Sequence, residues 1–449
     1  MKRKIYQKLL KWKHEDNGRC ALLVDGARRV GKSYIVRQFA TNEYNANLII
    51  DFSVARPEVK QLFDEYSGDV DWLFTNLTGI YNVKLPRRES LVVFDEVQEC
   101  PKARQAIKHL VADGRYDYIE TGSLVSINRN VKDIIIPSEE HRITLYPMDF
   151  EEFLWAMGND TLMDEIRKNF EYMQPMKFLH RKALDYLRQY MIVGGMPQAV
   201  QMFCETKEFS PVDRVKRDIL SLYRADISKY ATGKEAKSAD IFSKIPSQLQ
   251  KHERRFKLSS VVKGGRMRDF HSSFFWLNEA MTVNIAHNTT EPNIGLGMNM
   301  DDSAVKCYLA DTGLLVSMAF DERELVSEEL YRKLLLGKLE VNAGMLFENL
   351  AAQMLKASGH SLYFYSSKSR TEASERMEID FLIRKHSVTS RHNISPIEVK
   401  SGSRYTLSSL EKMRKKYGQY ISTPYVVHSA DLSEKDGVLY IPIYMLPLL

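Results

Sequence analysis

The sequence predicts a multidomain α/β chain: a parallel sheet, a helical region, a winged-helix-like module and a second α/β unit at the carboxy terminus. Three observations carry this. Apolar strands alternate with helical patterns over residues 1–150, long amphipathic helices follow from Glu151, and period-2 strands return after Asn342. At about 150 residues per domain, the 449 residues suit two to four domains, and 44% apolar content supplies each with a core.

In the first region the expected strands are Cys20 to Asp25, Asn47 to Phe52, Leu91 to Asp95, Tyr116 to Thr121 and Arg142 to Tyr146. Helices Ser33 to Phe39, Val70 to Leu77 and Ala103 to Ala112 fall between them, so the pattern is that of a parallel sheet with helices on both faces. From Glu151 to Tyr230 helices dominate. They break at Gly194-Gly195-Met196-Pro197, where the glycines end one helix and the proline begins the next. Ala239 to Phe320 is mixed: a basic helical segment, a helix around Trp276, and the β-like Lys306-Cys307-Tyr308-Leu309 running into Asp311-Thr312-Gly313. A winged helix fits that order. The last region opens with a helix, Asn342 to Lys356, followed by strands Ser361 to Tyr365, Met377 to Ile383 and Ile394 to Val399. The expected domains are 1–155, 156–237, 238–322 and 323–449.

Composition excludes several classes. With 27% charged residues and no repeat or low-complexity tract, the chain is neither fibrous nor disordered. Apolar runs stop far short of the ~20 residues that a membrane span needs, and Met1-Lys2-Arg3-Lys4 leads into an amphipathic segment instead of a signal-peptide core. A cytoplasmic protein with no membrane partner is expected. Cys20, Cys100, Cys204 and Cys307 are too dispersed for a zinc knuckle or a disulfide framework. The net charge of +6 does not by itself argue for a nucleic-acid partner. Local clustering does: eight Lys and Arg lie between Lys244 and Arg268 against one acid, Glu253. On a winged helix such a cluster would follow a phosphate backbone, so DNA or RNA is a candidate partner.

Gly26-Ala27-Arg28-Arg29-Val30-Gly31-Lys32-Ser33 matches the pattern G-x-x-x-x-G-K-[ST] in the required setting, after a strand and at the start of a helix continuing through Tyr34. The glycines let backbone N–H groups curl around phosphates at a helix N-terminus. Lys32 would meet the β and γ oxygens of ATP, and the Ser33 hydroxyl would ligate Mg²⁺. Downstream, Leu91-Val92-Val93-Phe94 ends in Asp95-Glu96, which brings two carboxylates to the sheet edge where ligands of open α/β sheets bind. Asp95 is expected in the Mg²⁺ shell and Glu96 beside the attacking water. In Glu120-Thr121-Gly122-Ser123, Thr121 or Ser123 is a candidate sensor of the γ-phosphate. Arg142 is a candidate arginine finger, within the chain or across a subunit boundary, with a structural ion pair as its alternative.

The phosphate loop with its paired arginines, the Asp-Glu strand end, Thr-Gly-Ser and Leu145-Tyr146-Pro147-Met148-Asp149-Phe150-Glu151-Glu152-Phe153 together resemble the prokaryotic AAA+ ATPases of the archaeal-ATPase and STAND branch. Those proteins carry a helical lid whose Gly-x-Pro turn touches the nucleotide base. Gly195-Met196-Pro197 matches that turn, so the resemblance implies that Pro197 packs near adenine.

In the last region, strand periodicity puts Glu398 and Lys400 on one face and Ile397 and Val399 on the other, and turns Asp380 away from Ile379 and Phe381. An acid in an apolar strand costs free energy unless it is paired or binds a cation, so two aligned acids suggest a divalent-metal site. The arrangement resembles the PD-(D/E)xK nuclease core. That resemblance implies Asp380 and Glu398 as Mg²⁺ ligands, Lys400 positioning the attacking water, and Glu348 on the preceding helix completing the site. No proline precedes Asp380, a departure at a loose position of the pattern. Across its length the chain resembles AAA+ ATPases with a carboxy-terminal restriction-endonuclease-like domain.

The expected function is an ATP-binding and hydrolysing switch that couples ATP or ADP, with Mg²⁺, to a nuclease-like module on nucleic acid. Two alternatives stand beside it. One is a Mg²⁺-dependent DNA nuclease regulated by ATP. The other is a non-catalytic nucleotide sensor or scaffold of the STAND kind, signalling as a homo-oligomer.

Overall fold

The computed structural model describes residues 1–123, 138–251, 255–292, 295–320, 328–335, 343–367, 375–384, 392–402 and 404–449. Arg254 and Glu253 of the basic run, and Asn342 at the start of the expected helix, lie outside them. The chain divides into two compact units, Met1–Tyr146 and Pro147–Leu449. Among the described residues, no helix is long and apolar enough to cross a membrane.

The amino-terminal unit is built on five parallel strands: β1 (Ala21–Asp25), β2 (Ala46–Asp51), β3 (Ser90–Asp95), β4 (Asp117–Gly122) and β5 (Glu140–Thr144). Their order is β2-β3-β4-β1-β5. Strands β1, β3 and β4 are buried along their whole length, as strands between two helix layers must be. One side of the core joins Phe52, Phe63 and Phe94, whose rings meet edge to face or tilted at 5.4–5.7 Å between centroids. Register sets Asp25 beside Gly122 and Thr144, and Asp51 beside Asp95, so the polar strand ends share one edge.

The second unit begins with helices, among them Phe178–Val193, Pro197–Thr206 and Phe209–Tyr230. Its mixed sheet comprises β6 (Val283–Thr289), β7 (Met300–Leu309), β8 (Tyr363–Ser367), β9 (Met377–Arg384), β10 (Ile394–Val399), β11 (Tyr425–His428), β12 (Ser433–Lys435) and β13 (Val438–Pro442). The order is β12-β13-β11-β10-β9-β8-β6-β7. The β6–β7 hairpin, expected in a separate winged-helix module, therefore extends the carboxy-terminal sheet, with β6 parallel to β8 through His287–Tyr363 and Asn288–Phe364. A boundary at residue 322 separates strands of one sheet. The physical reason is that β6 has two partners, one near in sequence and one distant, and only the near pairing leaves a local signal.

The helix Ala343–Ala357 packs on this sheet at β6, β7 and β10, with Met345, Leu346 and Leu350 buried. Asn349 ties it to the end of β7, accepting from Leu309 N at 2.8 Å and donating to Leu309 O at 3.1 Å. That places the preceding residue, Glu348, over β7 and β9.

Candidate functional site

Two polar constellations stand out, one in each unit. In the first, the loop after β1 turns through left-handed backbone at Arg29 (φ 70°) and Gly31 (φ 95°), with Gly26 at φ 155°. A Cβ on Gly26 would sit 2.4 Å from Leu145 O, so only glycine fits there. The helix Lys32–Glu43 starts directly on the loop. Ala27 and Val30 are buried, whereas Arg28, Arg29 and Tyr34 are exposed. Lys32 is buried and bends back to donate to Gly26 O (3.0 Å) and Ala27 O (3.1 Å). Burial lowers its pKa, against the pull of Glu96, Asp25 and Asp95.

Ser33, Asp95 and Thr121 converge. Ser33 Oγ donates to Asp95 Oδ1 over 2.7 Å, and the Thr121 hydroxyl donates to the same oxygen. Glu96 stands in left-handed backbone (φ 54°), its N–H donating to Thr121 Oγ1 at 3.3 Å and its Oε2 accepting from Gln98 at 2.5 Å. Ser123 lies one residue beyond β4. Arg37 was not singled out from sequence. It donates to Asp95 Oδ2 at 3.4 Å and lies 3.8 Å from Asp51. A signal was present, because Arg37 follows Ser33 by one helical turn and shares its face.

Arg142 is engaged within its own chain: its guanidinium pairs with Asp25 Oδ2, an aspartate with no exposed surface. Pro197 belongs to the second unit, as the first residue of the helix Pro197–Thr206.

The second constellation is a polar pocket of about 290 Å³ whose lining includes Glu348, Asp380, Glu398 and Lys400, the four residues matched to the nuclease pattern. Three further charged residues line it: Lys306 from β7, Glu378 from β9, and Arg376 just before that strand. Lys306 Nζ lies 2.9 Å from Glu348 Oε1, 3.2 Å from Glu378 Oε1 and 3.7 Å from Asp380 Oδ1. Glu348 Oε1 also accepts from Tyr308 OH at 2.5 Å, and Asp380 Oδ2 from Val399 N at 2.9 Å. Lys400 pairs with Glu398 Oε2, while Glu398 Oε1 is buried without a hydrogen-bond partner.

Burial, reinforced by the Asp380 charge, raises Glu398 to about 7, and burial with the Glu348 charge raises Asp380. Burial opposes the charge on Lys306, but Glu348, Tyr308, Asp380 and Glu378 outweigh it and hold the ammonium well above the ordinary lysine range.

The two sites differ in how they suit a metal. Ser33 and Asp95 present adjacent oxygens at the foot of the phosphate loop, a donor set that fits Mg²⁺ carried by a nucleotide. In the carboxy-terminal pocket the expected ligands do not form such a set. Among the described residues, no three acids, histidines or cysteines group so as to hold a metal ion. An ammonium stands between the acids instead. Glu378 was legible, two residues before Asp380 on the same strand face. Lys306 was not, because only the pairing of β6 with β8 brings β7 to this end of the sheet.

Comparison with known proteins agrees with the amino-terminal geometry. The family described as AAA domain matches residues 18–154. Two families described as domains of unknown function, DUF8612 and DUF4143, match residues 184–324 and 343–446. No curated protein matches the sequence. Among solved structures, a Walker-type ATPase of Pyrococcus abyssi is similar at 13% identity and a TM-score of 0.40, over 71% of this chain and 95% of that one. A signal transduction ATPase with numerous domains and a tetratricopeptide repeat sensor, from Pyrococcus horikoshii, is similar at 11% identity and a TM-score of 0.28, over 79% of this chain and 48% of that one. PCH-2 of C. elegans is similar at 13% identity and a TM-score of 0.19, over 38% and 44%.

Proposed function

We propose that the chain is an ATP-driven switch: the amino-terminal AAA domain binds and hydrolyses ATP, and its nucleotide state alters how the carboxy-terminal module is presented to nucleic acid. In this reading the backbone from Gly26 to Gly31 cradles the phosphates and Lys32 meets the β and γ oxygens. Ser33 and Asp95 hold Mg²⁺, Glu96 orients the attacking water, and Thr121 senses the γ-phosphate. Mg²⁺ would supply charge neutralisation on the phosphates. The observation that carries the reading is the 2.7 Å bond between Ser33 and Asp95, at a strand edge within the AAA-matched segment.

Support for a polyanionic partner comes from Lys244, Lys251, Arg255, Lys257, Lys263, Arg266 and Arg268, all exposed, on a segment fixed to β7 by Phe256 N donating to Val305 O at 2.7 Å.

Lys32→Ala tests the nucleotide site. With the fold intact by circular dichroism, the variant should lose ATP binding and turnover, and a variant that hydrolyses ATP normally would overturn the assignment. The nucleic-acid half is read separately, as salt-dependent DNA or RNA binding that Arg266→Glu with Arg268→Glu weakens.

A further inference from the structure

We infer that Lys306 is a resident cation: its ammonium occupies the position a divalent ion would take in the carboxy-terminal pocket, so the pocket works without metal. The inference goes beyond the switch reading and does not depend on it.

Three carboxylates, from Glu348, Glu378 and Asp380, fan around one Nζ at 2.9, 3.2 and 3.7 Å. An ammonium carries three donors and suits contacts of this length, whereas a divalent ion needs the same oxygens drawn in to about 2.0–2.6 Å. Several of the oxygens also accept from donors, Glu398 Oε1 excepted. Glu348 Oε1 takes a second bond from Tyr308 OH, Asp380 Oδ2 takes Val399 N, and Glu398 Oε2 takes Lys400.

Lys306 has little freedom to leave. It is 6% exposed, it sits 5.4 Å from the Phe364 ring centroid, and its backbone lies in the run Val305–Leu309 of β7 that pairs with β6, Lys306 opposite Ala286. Withdrawing it would strand three acids in a buried pocket, a loss that only another cation could offset.

The charges facing the pocket are four carboxylates, Glu348, Glu378, Asp380 and Glu398, against Lys306, Lys400 and Arg376. One negative charge is left over, which a shared proton can balance. A pocket so arranged offers no Lewis acid to a phosphodiester.

The experiment is a Mn²⁺ titration of the nucleotide-free full chain, with bound ion read by electron paramagnetic resonance. Wild type and Asp380→Asn should titrate alike, since any ion held by the amino-terminal unit is common to both. Lys306→Met keeps an apolar side chain of similar length and removes the charge. It should gain one further Mn²⁺ per chain, lost again when Asp380→Asn is added. Wild-type binding that Asp380→Asn weakens by on the order of 10-fold or more would overturn the inference. So would a folded Lys306→Met that gains no ion. If Lys306→Met does not fold, the wild-type comparison still decides, and Lys306→Gln supplies the variant arm.

Discussion

Arg142 and Asp25 form an ion pair diagonally across two parallel strands: register sets Arg142 beside Leu23, and its guanidinium reaches two residues along β1 to an aspartate at 0% exposure. The other aspartate oxygen is buried without a hydrogen bond. Burial raises the pKa of Asp25, and Arg142 is the first influence opposing it. The pair thus stabilises the strand from which the phosphate loop departs. Removing the arginine leaves a buried acceptor unsatisfied, so Arg142→Ala should destabilise the amino-terminal unit by about 1–3 kcal/mol. Adding Asp25→Asn should return part of that loss. Urea unfolding of the two single variants and the double variant measures the coupling, and simple additivity would contradict it.

Glu120, in the middle of the same sheet, predicts a pH dependence. Burial first, then its neighbour Glu140, raises its pKa well above the ordinary glutamate range, with Arg104 acting the other way. Neither Glu120 oxygen meets another donor, so a bond between Glu120 and Glu140 requires a proton held by the pair. The folded state then holds a proton that the unfolded chain releases above its ordinary glutamate value of 4.5. This contribution is complete below that value and is lost as pH rises toward the folded one, at up to about 1.4 kcal/mol per pH unit. Glu120→Gln should flatten the slope. Thermal unfolding of both proteins from acid to mildly alkaline pH checks it, and parallel curves would contradict it.

How much of this was legible follows from the range of the interactions. The β1 and β3 strands, expected from Cys20 and Leu91, are observed from Ala21 and Ser90, because an unbroken apolar run is a local property. The helices around Ser33 and Ala103 are likewise where expected but longer, Lys32–Glu43 and Pro101–Asp113. Asp380, Glu398 and Lys400 share a pocket as strand periodicity implied. Lys306 escaped detection for the opposite reason. In sequence it is one lysine in Lys306-Cys307-Tyr308-Leu309, and only the parallel pairing of β6 with a strand more than seventy residues downstream sets it among the acids. The glycines at 194 and 195 fall between: their place in a break was legible, the close packing that requires them was not.

Thr121 orders two catalytic candidates at once, since its hydroxyl bonds Asp95 and accepts from Glu96 N. Thr121→Val deletes that hydroxyl at nearly constant volume. Positioning partners of metal ligands are typically worth on the order of 10–100-fold, so ATP turnover should fall by that factor. Nucleotide affinity should stay within about threefold, because the phosphate loop is untouched. Steady-state kinetics and equilibrium binding of a fluorescent nucleotide separate the two quantities. An equal loss in both would mean that Thr121 supports binding instead of turnover.

Gly195 predicts the sharpest packing effect in the second unit. Its N–H donates to Asp311 Oδ2 at 2.6 Å, its carbonyl accepts from Met148 N at 2.7 Å, and Tyr190 OH donates to Met148 O at 2.7 Å. The backbone at 195 is thereby held against the backbone at 148, and a Cβ there would lie 2.1 Å from Met148 O. Neither side is a flexible side chain that could turn away. Gly195→Ala should therefore cost about 3 kcal/mol, the upper end for overpacking. At Gly402 an added Cβ meets nothing within 4 Å, so Gly402→Ala should change stability by no more than about 0.5 kcal/mol. Melting both variants beside wild type tests the contrast: a Gly195→Ala chain as stable as the Gly402→Ala chain would mean that the two backbones are not in contact as described.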